Sequence, residues 1–364
     1  MYRFRPKYFR EVKNHPLSGV TFPCWLRIVA SHFLEIDWRV YWLRVLFLTF
    51  MSCINSFTAI FDSIFYGKRV EKQELHPEPI FILGHPRTGT THLHNLLSQD
   101  STFAFCNTFQ VGFPSSFLST EWLSWLLSPL LSSTRPMDAM TLNWSVPQED
   151  ELGTMQLSGG VSGYMPLMFM RCERRYRSYF SFKQARRTDV ARWEQSFLKF
   201  LRKVTLKCGG CKPLLIKSPV HTARVEILMK LFPNARFIYI HRNPFEVFQS
   251  AAHMADAYYW YSYLQKPSDA EIQEWVLWQY SHLYNCYMDA RPSIPAGRLI
   301  EISFHDLEKD PVAVIQRIYS TFGLDGFQQM LPVLQGYTGS LVDFRKNAHV
   351  PLSEEMAEVV RQRW

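Results

Sequence analysis

The sequence predicts an α/β fold in which a mostly parallel sheet is flanked by helices and interrupted by helical insertions. Three observations predict it. Short apolar runs of strand length recur at Ile80-Phe-Ile-Leu83, Leu214-Leu-Ile216, Phe237-Ile-Tyr-Ile240 and Arg298-Leu-Ile-Glu-Ile302, as expected of strands covered on both faces. Helix-period segments follow them, from Thr90 to about Ser98, from Arg224 to Leu231, from Pro244, and from about Asp310 to Phe322; strands alternating with helices pair in parallel. Finally, 364 residues that are 47% apolar and 20% charged can bury a large core, which excludes disordered, collagen-like and coiled-coil architectures.

In chain order, residues 1–75 read as a basic arm followed by amphipathic helices packing on the remainder, and residues 76–364 as a single α/β domain. Arg3, Arg5, Lys7, Arg10 and Lys13 face only Glu11 within the first 14 residues, a net +4 and half of the chain's +8. No apolar signal core follows directly. The longest uncharged run, Val45 to Phe61, has 17 residues, short of the roughly 20 that span a bilayer. It is therefore read as a buried or interfacial helix.

Residues 105–200 read as helical and aromatic: Ser115 to Leu131 is dense in Phe, Leu and Trp with one charge, Glu121. Tyr258-Tyr-Trp-Tyr261 with Trp275 and Trp278 forms a second aromatic cluster, and these insertions are where an apolar acceptor pocket would be built. Seven cysteines at irregular spacing suit a reduced, cytoplasmic chain. Cys208-Gly-Gly-Cys211 has no second pair at zinc spacing and reads as a turn between helix and strand, so no metal is expected. The sequon Asn143-Trp-Ser145 reads as chance.

Gly84-His-Pro-Arg-Thr-Gly89-Thr90-Thr91 lies between the first strand and its helix. It keeps the G-x-x-x-x-G spacing of a P-loop but has Thr90 where the lysine would stand. Its backbone amides at a helix N-terminus still suit an anion. Arg87 supplies a forked cation for phosphate or sulfate oxygens, and Thr88, Thr90 and Thr91 supply hydroxyls. A metal-dependent nucleotide enzyme wants a carboxylate at the end of another strand. Here the strand at Phe237–Ile240 ends instead in His241-Arg242-Asn243-Pro244, with Ser250 on the following helix. Two anion sites on neighbouring strands, and no carboxylate for Mg²⁺, point to a nucleotide with phosphates at both ends.

These residues carry a resemblance. The stretch from Pro79 to Leu97 resembles the 5′-phosphosulfate loop of sulfotransferases that use 3′-phosphoadenosine 5′-phosphosulfate (PAPS), and Ile240 to Ser250 resembles their 3′-phosphate motif. Pro147-Gln-Glu-Asp-Glu151, Leu215-Ile-Lys-Ser-Pro-Val-His221 and Phe304-His-Asp-Leu-Glu-Lys-Asp-Pro311 fall in order as in the bacterial and algal branch acting on lipid-like alcohols. The resemblance covers about residues 15–350. It departs from the family at Phe304, where a tyrosine is common, and at Arg87, where many members have lysine.

The resemblance implies O-sulfation with PAPS as donor and no metal. Arg87 and the loop amides, with Thr88, Gly89, Thr90 and Thr91, would hold the 5′-phosphosulfate, while Arg242 and Ser250 would hold the 3′-phosphate. Lys217 would bridge the sulfuryl oxygens. Arg345 or Lys346, in a C-terminal loop, would reach the 3′-phosphate. The base stays open among Glu149, Glu151 and His221, with Glu149 first. Aromatic insertions favour a hydrophobic alcohol as acceptor, and the basic arm beside an apolar run suggests membrane-surface contact through residues 1–65. Two other readings compete: a Mg²⁺-dependent P-loop kinase or nucleotidase, and a non-enzymatic lipid- or membrane-surface-binding protein. Nucleic acid is not an expected partner, because basic and aromatic residues do not share one stripe.

Overall fold

Strands of four or five apolar residues have no polar face to show water, so both faces of their sheet must be covered. The computed structural model, which describes residues 2–135, 137–138, 140–341 and 351–364, has this arrangement. In chain order its principal elements are α1 (Phe22–His32), α2 (Trp38–Lys72), β1 (Ile80–Leu83), α3 (Thr90–Leu97), α4 (Asp150–Leu157), α5 (Arg187–Lys207) and β2 (Leu215–Lys217). There follow β3 (Arg236–His241), α6 (Pro244–Ala257), α7 (Asp269–Ala290), β4 (Leu299–Ser303), α8 (Pro311–Phe322), α9 (Phe327–Gly339) and α10 (Glu354–Arg363). The chain divides into two units: residues 76–105, 211–251 and 276–364, and residues 1–75, 106–210 and 252–275.

The first of these units holds the sheet. Among the described residues its four strands are all parallel, in the order β2-β1-β3-β4, with Ile82 opposite Lys217 and Ile238, and Ile240 opposite Ile302. β1 is fully buried because neighbours pair on both edges and side chains cover both faces. Ile80, Ile82, Ile238 and Ile240 pack on Leu93, Leu96, Leu97, Ile315 and Ile318 from α3 and α8. From the opposite face Phe81 stacks on Phe237 at 5.7 Å, and Tyr239 on Tyr287 at 3.8 Å. Strand and helix positions match the sequence expectation to within a residue or two. The chief shift is that Lys217 ends β2 instead of following it.

The other unit is helical. α2 is 35 residues long, far longer than the uncharged run, because the charges that bound that run, Arg44 and Asp62, are both buried on one side of a continuing helix. Arg44 donates to the carbonyls of Tyr8 (2.9 Å), Glu11 (3.0 Å), Trp260 (3.1 Å) and Tyr263. Asp62 accepts from Ser119 N (2.7 Å) and pairs with Lys203 Nζ at 2.8 Å. Asn55 donates to the carbonyls of Ser18 and Val20. The basic arm is pinned as well: the amides of Phe4 and Arg5 donate to Asp269 and Asp256, and Lys7 pairs with Asp256 at 3.0 Å. The aromatic stretch after Ser115 begins as a short α-turn, Phe117–Thr120, and tightens into a 3₁₀ helix, Glu121–Leu130. Cys208 ends α5, followed by two glycines at positive φ, and all seven cysteines are free thiols.

Candidate active site

The loop between β1 and α3 is set by contacts that leave no room for side chains at its glycines. Gly84 N–H donates to Thr222 Oγ1 at 2.8 Å, and Thr222 Oγ1 donates back to the Gly84 carbonyl at 3.1 Å. At φ +147°, a Cβ on Gly84 would lie 2.7 Å from the Ile240 carbonyl oxygen on β3. Gly89, the N-cap of α3 at φ +100°, would place a Cβ 2.3 Å from the Phe304 ring. Thr88 Oγ1 closes the turn on the His85 carbonyl at 2.8 Å.

Arg87 sits at φ +79°, which costs a non-glycine residue about 1–3 kcal/mol and persists only where surroundings over-determine it. They do so here: Arg87 Nε donates to Ser250 Oγ at 3.0 Å, and the Arg87 carbonyl accepts from Arg242 at 3.4 Å. Arg242 itself bonds Glu246 at 2.8 Å one turn later and lies 4.5 Å over the Phe304 ring. The two expected anion motifs are thus one connected group on the adjacent strands β1 and β3. Ser250, expected beside Arg242 as a donor to the same anion, accepts from Arg87. Phe304, the departure from tyrosine, both fills the space beside Gly89 and carries the Arg242 guanidinium on its face. An anion accepting charge-assisted hydrogen bonds from either guanidinium would gain more than from a neutral donor.

Lys217, fully buried at the end of β2, reaches Thr91 Oγ1 on α3 at 3.3 Å. His221 is also buried, edge-on to Phe81 in the turn after Lys217. Sequence reasoning missed Thr222, which locks the start of the loop, although it directly follows the candidate base His221. It also missed the packing around His85. Tyr280 and Trp364 flank that imidazole at 5.1 and 6.0 Å and stack on each other at 4.0 Å. Burial pushes the His85 pKa down to about 3, so its ring is neutral and adds no charge to the loop. Nothing in the sequence ties residue 364 to residue 85.

Glu149, Asp150 and Glu151 belong to the helical unit, at the start of α4. Glu149, half-buried, accepts from the Tyr164 hydroxyl at 2.5 Å. Burial first and the Glu149 charge second hold that phenol well above its ordinary pKa. Glu151 is fully buried and accepts from Ser162 Oγ (2.6 Å) and Trp193 Nε1 (3.2 Å). Arg345 and Lys346 lie outside the described residues.

Comparison with known proteins fits this geometry. A family model described as the sulfotransferase family matches residues 79–329. An alignment of 346 residues is 31% identical to the omega-hydroxy-beta-dihydromenaquinone-9 sulfotransferase Stf3 of Mycobacterium bovis, covering 95% of this chain and 88% of that protein. The same protein of Mycobacterium tuberculosis matches equally. Among solved structures, sulfotransferase STF1 from M. tuberculosis superposes with a TM-score of 0.64 at 17% identity, covering 93% of this chain and 89% of that one. Sulfotransferase STF9 from Mycobacterium avium does so with 0.64 at 18% identity, covering 94% and 95%.

Proposed function

This chain belongs to the sulfotransferase family, and from that premise we propose that it transfers the sulfuryl group of PAPS to the hydroxyl of a hydrophobic alcohol. The observation that carries the reading is the connected group Ser250–Arg87–Arg242, in which the Arg87 guanidinium donates to Ser250 and the Arg242 guanidinium to the Arg87 carbonyl, just after the adjacent strands β1 and β3. It suits a donor with a 5′-phosphosulfate and a 3′-phosphate. The bare backbone at Gly84 and Gly89 lets the loop lie against Ile240 and Phe304, and Gly89 starts the α3 N-terminus, whose amides suit such a ligand.

PAPS supplies an activated sulfuryl group whose leaving oxygen belongs to the 5′-phosphate. The acceptor oxygen bonds to sulfur, the bond from sulfur to that phosphate oxygen breaks, and adenosine 3′,5′-bisphosphate leaves. In this reading Arg87 and the loop amides carry the charge growing on the 5′-phosphate. Lys217 serves the sulfuryl oxygens, and its hydrogen bond to Thr91 holds it toward the first turn of α3. Thr88 and Thr90 are buried in the same loop, and Arg345 or Lys346 would complete the 3′-phosphate site. Glu149 takes the acceptor proton: it is oriented by Tyr164 and only half-buried, whereas Glu151 is spent on Ser162 and Trp193 and His221 is enclosed.

The Stf3 relative is named for a menaquinone-type lipid alcohol, which supports an acceptor of that class here. The same reading takes the protein as cytoplasmic and in peripheral contact with a membrane through residues 1–65. The test is thermal stabilisation by adenosine 3′,5′-bisphosphate against ADP and ATP, each with and without Mg²⁺, since a native-state ligand raises Tm by mass action. Metal-independent stabilisation by the bisphosphate, lost in Arg242→Ala, is expected. Stabilisation by ATP with Mg²⁺ alone would overturn the reading in favour of a kinase.

A further inference from the structure

Helix α2 is amphipathic in the inverse sense. Between Arg39 and Lys68 its only charges are Arg44 and Asp62, and both are buried, with Ser52 and Asn55, against the rest of the helical unit. Its outward side is apolar. Trp42, Leu46, Phe50, Ile54, Phe57 and Phe61 recur three or four residues apart and are between 40% and 63% exposed. The stripe continues to Phe65, so from Trp42 it runs about 35 Å at the α-helical rise. α1 is fastened alongside by hydrogen bonds from Phe22 N to Ser56 Oγ and from Trp25 Nε1 to Thr49 Oγ1. It adds Leu26, and the turn after it adds Phe33 and Leu34, the latter 95% exposed.

Single exposed apolar residues need no explanation, but a continuous face of this length marks a partner. We propose that the outer face of the α1–α2 hairpin docks on an anionic bilayer, lying in the plane of one leaflet with the α2 stripe sunk among the acyl chains. Charge selects this occupant. The apolar face carries no exposed charge, and basic residues border it at both ends: Arg27 and Arg39 at one, where Glu35 and Asp37 are paired with Arg175 and Arg171, and Lys68, Arg69 and Lys72 at the other, against the single acid Glu71. That is the pattern of an interfacial helix on acidic lipid.

α2 is long and apolar enough to cross a membrane by length and composition, but its inner side excludes spanning. Crossing would tear Arg44 from four carbonyls and Asp62 from Lys203, and bring both into hydrocarbon. The basic arm is not the docking device, since Asp256 and Asp269 hold it to the helical unit. The inference deepens the membrane contact proposed above and rests on it: an alcohol of the lipid class resides in the bilayer to which this face would bring the enzyme.

The test is flotation of the full chain with phosphatidylcholine vesicles, with and without phosphatidylserine, for wild type, Phe50→Asp/Phe57→Asp and Arg3→Ala/Arg5→Ala. Bisphosphate stabilisation of each variant and its mass by light scattering are measured in parallel. Wild type is expected to float, more so with phosphatidylserine, and the Phe pair variant to lose binding by about tenfold or more while keeping bisphosphate stabilisation. The arm variant is expected to float nearly as wild type does. Wild type that stays soluble, or a Phe pair variant that floats equally, overturns the proposal. A soluble wild-type dimer that the Phe pair variant dissociates assigns the face to a second copy and also overturns it. Flotation without bisphosphate stabilisation would retain the docking face and refute the enzymatic reading instead.

Discussion

Replacing Gly89 with alanine tests whether the loop needs glycine for space as well as for conformation. At φ +100° any L-residue is strained, by roughly 1–2 kcal/mol. Here the new Cβ would also meet Phe304 Cδ2 at 2.3 Å and Cε2 at 2.7 Å, with Ile240 Cδ1 at 3.3 Å. No carbon pair tolerates the closest of these approaches, so either the Phe304 ring swings away or α3 retreats from β3. Overpacking of this kind adds about 1–3 kcal/mol, for an expected total of about 2–5 kcal/mol. Ring movement also takes the Phe304 face from under Arg242, which it supports at 4.5 Å, so binding should suffer with stability. Gly297→Ala is the control: it shares a positive φ, +80°, but nothing lies within 4 Å of its Cβ, so it should lose only the strain. The assay is urea unfolding with calorimetric titration of adenosine 3′,5′-bisphosphate. Gly89→Ala should fall well below Gly297→Ala in stability and bind the bisphosphate at least about tenfold more weakly, an energy of about 1.4 kcal/mol. Equal stabilities for the two variants, or unchanged bisphosphate affinity in Gly89→Ala, would refute the reasoning.

Lys217→Met keeps most of the volume while removing the charge beside Thr91, and should lower kcat by about 10²–10³ with little change in bisphosphate affinity, since a transition-state contact is lost; single-turnover sulfation of a lipid alcohol reads this directly. Asp62→Asn leaves the Lys203 ammonium buried without its carboxylate and should cost about 3–5 kcal/mol in urea unfolding, whereas adding Lys203→Met should restore most of that loss. Tyr41→Phe removes a buried hydroxyl that has no hydrogen-bond partner among the described residues and should stabilise by about 1 kcal/mol at pH 7. Its pH dependence has a definite sign: burial raises the Tyr41 pKa from 10.0 to about 12, so between those values the unfolded chain releases a proton that the folded chain keeps. Stability therefore falls as pH rises through that window, by up to about 3 kcal/mol from this group, and the Phe variant should lack that portion in unfolding curves taken across it.

Much of the sheet and its loop could be read in one dimension because the signals are local. Ile80–Leu83 has no polar face, Gly84 and Gly89 bracket Arg87 within a single turn, and Thr90 begins a helix; each is decided within a few residues by burial or backbone freedom. The same holds for Arg242 and Ser250, on a strand end and the helix after it. Tertiary packing decided what those residues do to one another. Arg87 is held at positive φ by Ser250 and Arg242, which are remote in sequence, and Phe304 becomes the floor of Arg242 because β4 lies next to β3. Tyr164 reaches Glu149, and Trp364 reaches His85 alongside Tyr280, by approaches that leave no periodic trace. The sharpest divergence is α2. By composition, Arg44 and Asp62 interrupt an apolar run; in the fold they are its buried side, satisfied by the carbonyls of Tyr8 and Trp260 and by Lys203, and the phenylalanines face outward. Hydropathy reports only how apolar a segment is. Which side meets water depends on partners distant in sequence, so the orientation of α2 could come from the tertiary structure alone.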